Sequence, residues 1–264
     1  MTDQLQQPTR AVVVPDPRTA MVAARDHLLS LQHPDGWWKG ELETNVTMDV
    51  EDLLLRQFLG IRTAVETEQA ARWIRSQQRR DGTWATFHGG PGDLSTTVEA
   101  YTALKLAGDD VDAEHMATAR AWILEHGALE ATRVFTRIWL ALFGEWSWDE
   151  LPAMPPEVVL LPSWFPLNVA DWACWARQTV VPLTVVCTLR PQRELGITVR
   201  ELRTGRPRPS TRPAWSWNYA FTVLDRLLHR YHRRPLRSLR RHAMLRAAEW
   251  IVARQEADGS WGGI

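Results

Sequence analysis

The sequence predicts an all-α fold, an α/α barrel of helices paired antiparallel and incomplete at its C-terminus. Three observations predict it. The phrase Q-x-x-D-G-x-W occurs at 32–38, 78–84 and 255–261. The segments between these phrases place apolar residues at i, i+3, i+4 and i+7, the period of a helix with one buried face. No window alternates apolar and polar residues at period two over any length, so strands are not expected. Units that recur in this way cannot bury their apolar faces alone, and they stack into toroids or solenoids.

The elements follow in chain order. Residues 1–20 form a polar tail, and "MTDQLQQPTR" lacks the apolar core of a signal peptide. The barrel domain is expected over 21–264. Its first repeat, "LLSLQHPDGWW", reads as a helix end and a turn. "NVTMDVEDLLL" (45–55) begins the next helix, with carboxylates where the helix dipole favours them. In "AARWIRSQQRRDGTW", Ala70, Trp73, Ile74 and Gln77 share a helical face. The Asp-Gly pair then stops the helix, because glycine accepts the left-handed conformation of a helix end. "TTVEAYTALKLAG" reads as an amphipathic helix with capping threonines and a terminal glycine, and "EATRVFTRIWLALFG" as another of the same form. Between them "ARAWILEHG" (119–127) is a decayed fourth repeat, without the glutamine and the last tryptophan. "RTGRPRPSTRP" has the composition of a loop. The third repeat, "AAEWIVARQEADGSW", shares Ala-Ala-x-Trp-Ile with the second.

Gln32 and Trp38, Gln78 and Trp84, and Gln255 and Trp261 are read as structural pairs. The turn sets the ring beside the amide, which can stack on it and bond an exposed backbone group at a neighbouring helix end.

Charge and composition exclude several functions. The 31 lysines and arginines balance 31 aspartates and glutamates, so net charge nominates no polyanionic partner. Cys174 and Cys187, the 2 cysteines, make neither a disulfide framework nor a zinc motif. No run of 18 apolar residues is present, so no helix is expected to span a bilayer. The 15 tryptophans show a repeated need for large flat side chains.

On these motifs the chain resembles the squalene–hopene and oxidosqualene cyclases, whose QW motif is Q-x-x-D-G-x-W. Longer stretches narrow the resemblance to the bacterial squalene–hopene cyclases: "NVTMDVEDLLL", "DGTWATFHGGPGDLSTTVEAYTALK", "RVFTRIWLALFGEW", "WARQTVVPL" and "RQEADGSWGGI". The likeness covers about residue 20 to the end and thins over 190–212. It implies two α/α barrels in a chain more than twice this long, with a large apolar cavity between them. It also implies cyclisation of squalene to hopene or hopanol, without cofactor or metal. The reaction starts when the central aspartate of a D-x-D-D motif in the second half protonates a terminal double bond. This sequence has no D-x-D-D. "DVED" (49–52) and "DDVD" (109–112) come near it, but one lies at a helix start and the other in a turn. A general acid needs a tuned carboxyl in a dry pocket, and neither position matches the family's acid. The chain is therefore expected to be the N-terminal barrel, to stop before its last helices, and to be inactive alone.

The resemblance assigns roles residue by residue. Trp175 matches an aromatic that walls the substrate cavity and offers its π-face to cationic charge. Ile264 matches a cavity residue that shapes the folded substrate. Trp172 and Val180 match the constriction of the substrate channel, with a tryptophan bulkier than the family pattern at 172. Glu51, Glu99, Arg133 and Trp139 match charged and aromatic positions that support activity. From the residues alone, Glu99 and Arg133 lie on helices that look buried, and a buried charge needs a partner. A cluster of Glu51 and Glu99 with Arg133 is expected; surface charges on amphipathic helices are the alternative.

In "AWSWNYAFTVLDRLLHRYHRR" (214–234), Trp217, Phe221, Leu224, Leu228 and Tyr231 trace one stripe. Asn218, Asp225, Arg226 and His229 lie off it. Such a helix suits a membrane interface, or packs its stripe on the barrel. The resemblance implies the former, in a monotopic protein on the cytoplasmic face of the membrane. No nucleic-acid motif accompanies the basic stretch 226–241. Asp171 and Cys174 are too few for the zinc site of a prenyltransferase-like barrel. Two functional readings stand side by side. One is the N-terminal half of a squalene–hopene cyclase, which meets squalene together with a separately encoded C-terminal half. The other is a non-catalytic α/α-barrel remnant that binds a lipid or a partner protein.

Overall fold

A computed structural model of the chain describes residues 16–38, 45–166, 168–205 and 217–261, and the side chains of all of these but 217 and 218. The chain divides into two compact units, 1–43 and 44–264. The first holds α1 (Pro17–Ser30) and the turn of the first repeat. Proline at the first helical position and the Asp16 carboxylate, which accepts from the Thr19 amide at 3.3 Å, start this helix.

The second unit holds α2 (Val46–Leu59), α3 (Ala64–Ser76), α4 (Leu94–Ala107), α5 (Glu114–Glu125), α6 (Val134–Leu142), α7 (Cys174–Leu189), α8 (Trp217–Arg233) and α9 (Arg237–Val252), linked by short 3₁₀ turns. The fold is all-α. Among the described residues the sole β pairing is an isolated bridge, Ala85 to Gly92, inside the second repeat's loop. The helices α2, α4 and α6 touch one another as one layer; α3 backs α2 and α4, and α5 backs α4. The centre is α4, buried from Ser95 to Leu104 and again at Leu106. Its serine, threonines and alanines let neighbours approach closely on every side. Further along, α7 and α9 pack on each other and on the 3₁₀ turn Pro156–Leu160. Ala243 and Ala247, one turn apart on α9, are fully buried there. The C-terminal half of α7 joins the main core through Leu183, Val186 and Cys187.

Local structure departs from the sequence pattern in three places. The cap of α4 is Asp93, not a threonine: its carboxylate accepts from the Thr96 amide at 2.8 Å, and Thr97 sits inside the helix. A carboxylate three residues before Thr96 outcompetes the hydroxyls as acceptor for the first free amides. The helix α6 starts at Val134 rather than near Glu130. Thr132 Oγ1 donates back to the Leu129 carbonyl at 2.8 Å, which closes a separate 3₁₀ turn, Leu129–Ala131. On α3 the buried line is Thr67, Ala71 and Ile74, and Trp73 is 42 % exposed. In the decayed repeat the tryptophan staple is replaced by a stack of Trp122 on His126, with ring centroids 3.8 Å apart.

Candidate functional site

The three repeats build the same turn. The glutamine Nε2 donates to the carbonyl of the motif glycine: Gln32 to Gly36 at 2.8 Å, Gln78 to Gly82 at 3.0 Å, Gln255 to Gly259 at 2.9 Å. The indole Nε1 donates to a carbonyl ten residues back, in the last turns of the helix before it: Trp38 to Leu28 at 2.6 Å, Trp84 to Ile74 at 2.7 Å, Trp261 to Ile251 at 2.8 Å. Each glycine has φ between +80° and +89°, a conformation that β-carbon-bearing residues avoid. So the indole adds a second donor to a carbonyl of the last turn, which otherwise accepts only the amide three residues on: Leu31 to Leu28 at 3.1 Å, Gln77 to Ile74 at 3.2 Å, Arg254 to Ile251 at 3.1 Å. The amide's partner is mainly its own turn. Of the three, Gln78 alone also reaches a neighbouring helix, donating to the His115 carbonyl of α5 at 2.9 Å. Gly82 is pressed against the same helix, and a β-carbon there would lie 2.5 Å from Thr118 Cγ2.

A polar cluster lies where α2, α4 and α6 meet. Glu99, on the enclosed helix α4, is 2 % exposed. Its Oε2 accepts from Arg133 Nη2 at 2.7 Å and Thr47 Oγ1 at 2.8 Å, and its Oε1 accepts from Thr136 Oγ1 at 2.5 Å. Arg133 caps α6, and its backbone amide donates to Ser95 Oγ at 2.8 Å. Each polar end thus meets a partner, as burial of a charge in a helical layer requires. Glu51 of α2 faces this cluster, and the Trp139 indole lies near enough to favour its ionised form. Burial first, and the Glu99 carboxylate second, push the Glu51 carboxyl above the usual glutamate range; the Trp139 indole and Arg133 oppose this without reversing it. The four acid, arginine and tryptophan positions are therefore together, though Arg133 pairs directly with Glu99. The hydroxyls of Thr47, Ser95 and Thr136, which complete the cluster, were not singled out in the sequence. Their signal was a threonine or serine one helical turn or less from each charged position.

The raised Glu51 carboxyl makes stability depend on pH. A folded state that holds its proton more tightly than the unfolded chain loses stability as pH rises from the ordinary glutamate range through the raised one. Glu51→Gln keeps the shape and cannot ionise. The variant is expected to exceed the parent's urea midpoint at neutral pH and to match it near pH ~4, where the parent's carboxyl is protonated. An identical pH slope in both proteins would show that Glu51 ionises freely.

The two near-miss acid clusters differ in their surroundings. Asp109 is largely buried, which opposes ionisation, but Arg75 at 2.5 Å and His115 at 2.7 Å hydrogen-bond it and hold it below the usual aspartate range. Asp52 is exposed and pairs with Arg56 at 2.7 Å, one turn along α2. Asp49 lies above its ordinary range through burial, countered by its own backbone and the Trp73 indole, with the Asp52 charge adding to the rise.

The positions assigned to a substrate cavity lie on and before α7. Trp175, in its first turn, is 64 % exposed, whereas Trp172 and Val180 are half-buried. The helix thus presents an open aromatic end while its other end is locked in the core. Ile264 lies outside the described residues. On α8 the predicted stripe divides. Phe221 and Leu224 are exposed, Leu228 is half-buried, and half-buried Tyr231 donates to Glu157 Oε1 at 2.8 Å. The side chain of Trp217 lies outside the described residues. Asp225, off the stripe, anchors the helix by accepting from the Ala153 amide at 2.9 Å. Among the described residues no helix is long and apolar enough to cross a membrane, and no three His, Cys, Asp or Glu side chains group as metal ligands.

Comparison with known proteins places this architecture. The family model described as the squalene-hopene cyclase N-terminal domain matches residues 21–264. A squalene–hopene cyclase of Alicyclobacillus acidocaldarius is 43 % identical over 244 residues, covering 91 % of this chain and 39 % of the relative. One of Zymomonas mobilis is 39 % identical over 242 residues, covering 90 % and 37 %. The dammaradiene synthase of Dryopteris crassirhizoma is 34 % identical over 251 residues, covering 93 % and 37 %. The chain spans about two-fifths of the length of these relatives. Helical layers stapled by QW turns, with this match along nearly the whole chain, make it a member of the squalene–hopene cyclase family, corresponding to the family's N-terminal domain.

Proposed function

We propose that this domain forms one wall of a squalene-binding cavity in a hopene- or hopanol-forming cyclase, and that a segment outside these 264 residues supplies the proton. The observation that carries the reading is the open aromatic end of α7: Trp175 offers most of its ring to whatever packs there. An exposed indole beside half-buried Trp172 and Val180 suits a flexible polyene whose carbons become cationic during cyclisation. The cluster of Glu51, Glu99, Arg133 and Trp139 acts indirectly, holding α2, α4 and α6 in register behind the wall. With no D-x-D-D sequence, the domain alone does not start the cascade.

The purified chain is expected to give no hopene or hopanol from squalene in detergent. Co-expression with a D-x-D-D-bearing cyclase segment is expected to restore product, with Trp175→Ala lowering kcat/KM about 5- to 30-fold, the worth of a desolvated cation–π contact of ~1–2 kcal/mol. Product from the chain alone, lost on Asp49→Asn, would move the acid into this domain.

The second part of the proposal is that α8 seats the domain on a membrane surface. Phe221, Leu224 and Leu227 are 54, 41 and 59 % exposed along it, while Asp225 ties the helix to the loop beneath. An amphipathic helix tied down by one polar side chain, with exposed apolar side chains along it, has the form of an interfacial anchor. The double variant Phe221→Asp, Leu224→Asp is expected to stay in solution when the parent sediments with vesicles; equal sedimentation would overturn the anchor.

A further inference from the structure

The stretch leading into α7 is held together by a polar side chain. Across 161–180 the one described residue that is buried is Asn168, 1 % exposed. Its neighbours Trp164 and Phe165 are 80 and 40 % exposed. None of the described residues 155–182 belongs to the main apolar core. With no apolar anchor of its own, such a segment keeps its shape through hydrogen bonds, and a buried amide must find them.

Asn168 does so at both ends. Its Nδ2 donates to the Ser163 carbonyl at 3.1 Å, the Phe165 carbonyl at 3.0 Å and the Asp171 carboxylate at 2.5 Å. Its Oδ1 accepts from the Ala170 amide at 2.9 Å and the Asp171 amide at 3.2 Å. The full donor and acceptor capacity of a carboxamide is thereby used. The two bonds to Oδ1 make Asn168 the N-cap of a 3₁₀ turn, Val169–Asp171. Trp172 ends this turn, and its amide donates to the Val169 carbonyl at 3.3 Å. The turn is therefore the mount of the Trp172 ring, and α7 begins two residues later, at Cys174. The bonds to Ser163 and Phe165 reach back along the chain and keep the mount from swinging.

We propose that Asn168 is a positioning residue for the substrate wall: it builds and steadies the turn that fixes the ring of Trp172 ahead of Trp175. This rests on the reading of that end of α7 as the wall of a polyene cavity, and it names the side chain that sets the geometry of the wall.

The test uses the chain co-expressed with a D-x-D-D-bearing cyclase segment and reads kcat and KM for squalene separately. Trp172→Ala is expected to raise KM about tenfold, the worth of one apolar ring against the polyene. Asn168→Ala is expected to raise KM nearly as far, with kcat within about twofold of the parent, because it disturbs binding and not the proton donor. The double variant Asn168→Ala, Trp172→Ala is expected to match Trp172→Ala, since a residue that acts through the ring has nothing left to act on. Asn168→Asp keeps the cap, loses the Nδ2 donors and sets a second carboxylate against Asp171, so KM is expected to rise again. Adding Asp171→Asn returns a donor and an acceptor to that pair in exchanged places, and is expected to recover part of the loss. This exchange carries the same comparison if Asn168→Ala folds poorly. An unchanged KM in Asn168→Ala, or a fall in kcat alone, would leave Asn168 a structural residue and overturn the proposal while the wall stands. Effects that multiply in the double variant would overturn it too, because Asn168 would then act elsewhere than through Trp172. If the parent pair makes no product, the wall fails and the proposal with it.

Discussion

Trp84→Ala is expected to destabilise the second unit by about 4 kcal/mol, the cost of deleting a large aromatic from a core. Its ring is 1 % exposed, and the indole N–H holds the Ile74 carbonyl at 2.7 Å. Loss of the ring empties a space between α3 and α4, and loss of the donor leaves the Ile74 carbonyl with the Gln77 amide alone, at 3.2 Å. Trp38 and Trp261 make the same hydrogen bond but are 50 and 49 % exposed. With half the area to lose and water available to the freed carbonyl, Trp38→Ala and Trp261→Ala are expected to cost about 1–2 kcal/mol each. The glycines should follow the same order. Gly36→Ala and Gly259→Ala meet backbone strain with nothing closer than 3.9 Å, whereas Gly82→Ala also drives its β-carbon into Thr118. Urea denaturation followed by far-UV circular dichroism would rank the variants. Equal losses for the three tryptophans would mean that the motif acts only within its own turn, and that the packing around Trp84 adds nothing.

Glu99→Ala is expected to cost about 3 kcal/mol, the lower end of the range for breaking a buried pair. The low end applies because Arg133 is 37 % exposed and regains some hydration, whereas Thr47 and Thr136 lose their acceptor. Glu99→Gln keeps two acceptor positions at most and loses the charge, so it should fall between parent and alanine variant. A double-mutant cycle with Arg133→Met separates the pair from the burial cost. Near-neutral stability of the double variant would show that the pair fixes the geometry of α4 and α6 without adding net stability. A Glu99→Ala variant as stable as the parent would sink the account of the cluster altogether.

Much of this was legible in the chain itself. A period of 3.6, an Asp-Gly stop and a recurring Q-x-x-D-G-x-W are local features, and local backbone preference decides them. They establish the helices, the turns and the family without any contact map. The pairing of Glu99 with Arg133 could also be anticipated, because a charge on a helix with no polar face must find an opposite charge. The sequence was silent where the answer depended on which side of a helix meets a neighbour. Nothing local distinguishes Trp84 from Trp38 or Trp261; only the helices around each ring decide that one is core and two are half in water. Period alone drew Trp73 inward, yet packing on α2 and α4 turned Thr67, Ala71 and Ile74 to the inside. On α8 the apolar stripe was visible, but its division was not: Asp225 bonds a backbone amide 72 residues away and sets the rotation of the helix. That contact holds the helix against Pro152 and Ala153, with Phe221, Leu224 and Leu228 lining an open cleft beside them. Periodicity names the face of a helix, and long-range contacts, which no local window contains, choose what that face meets.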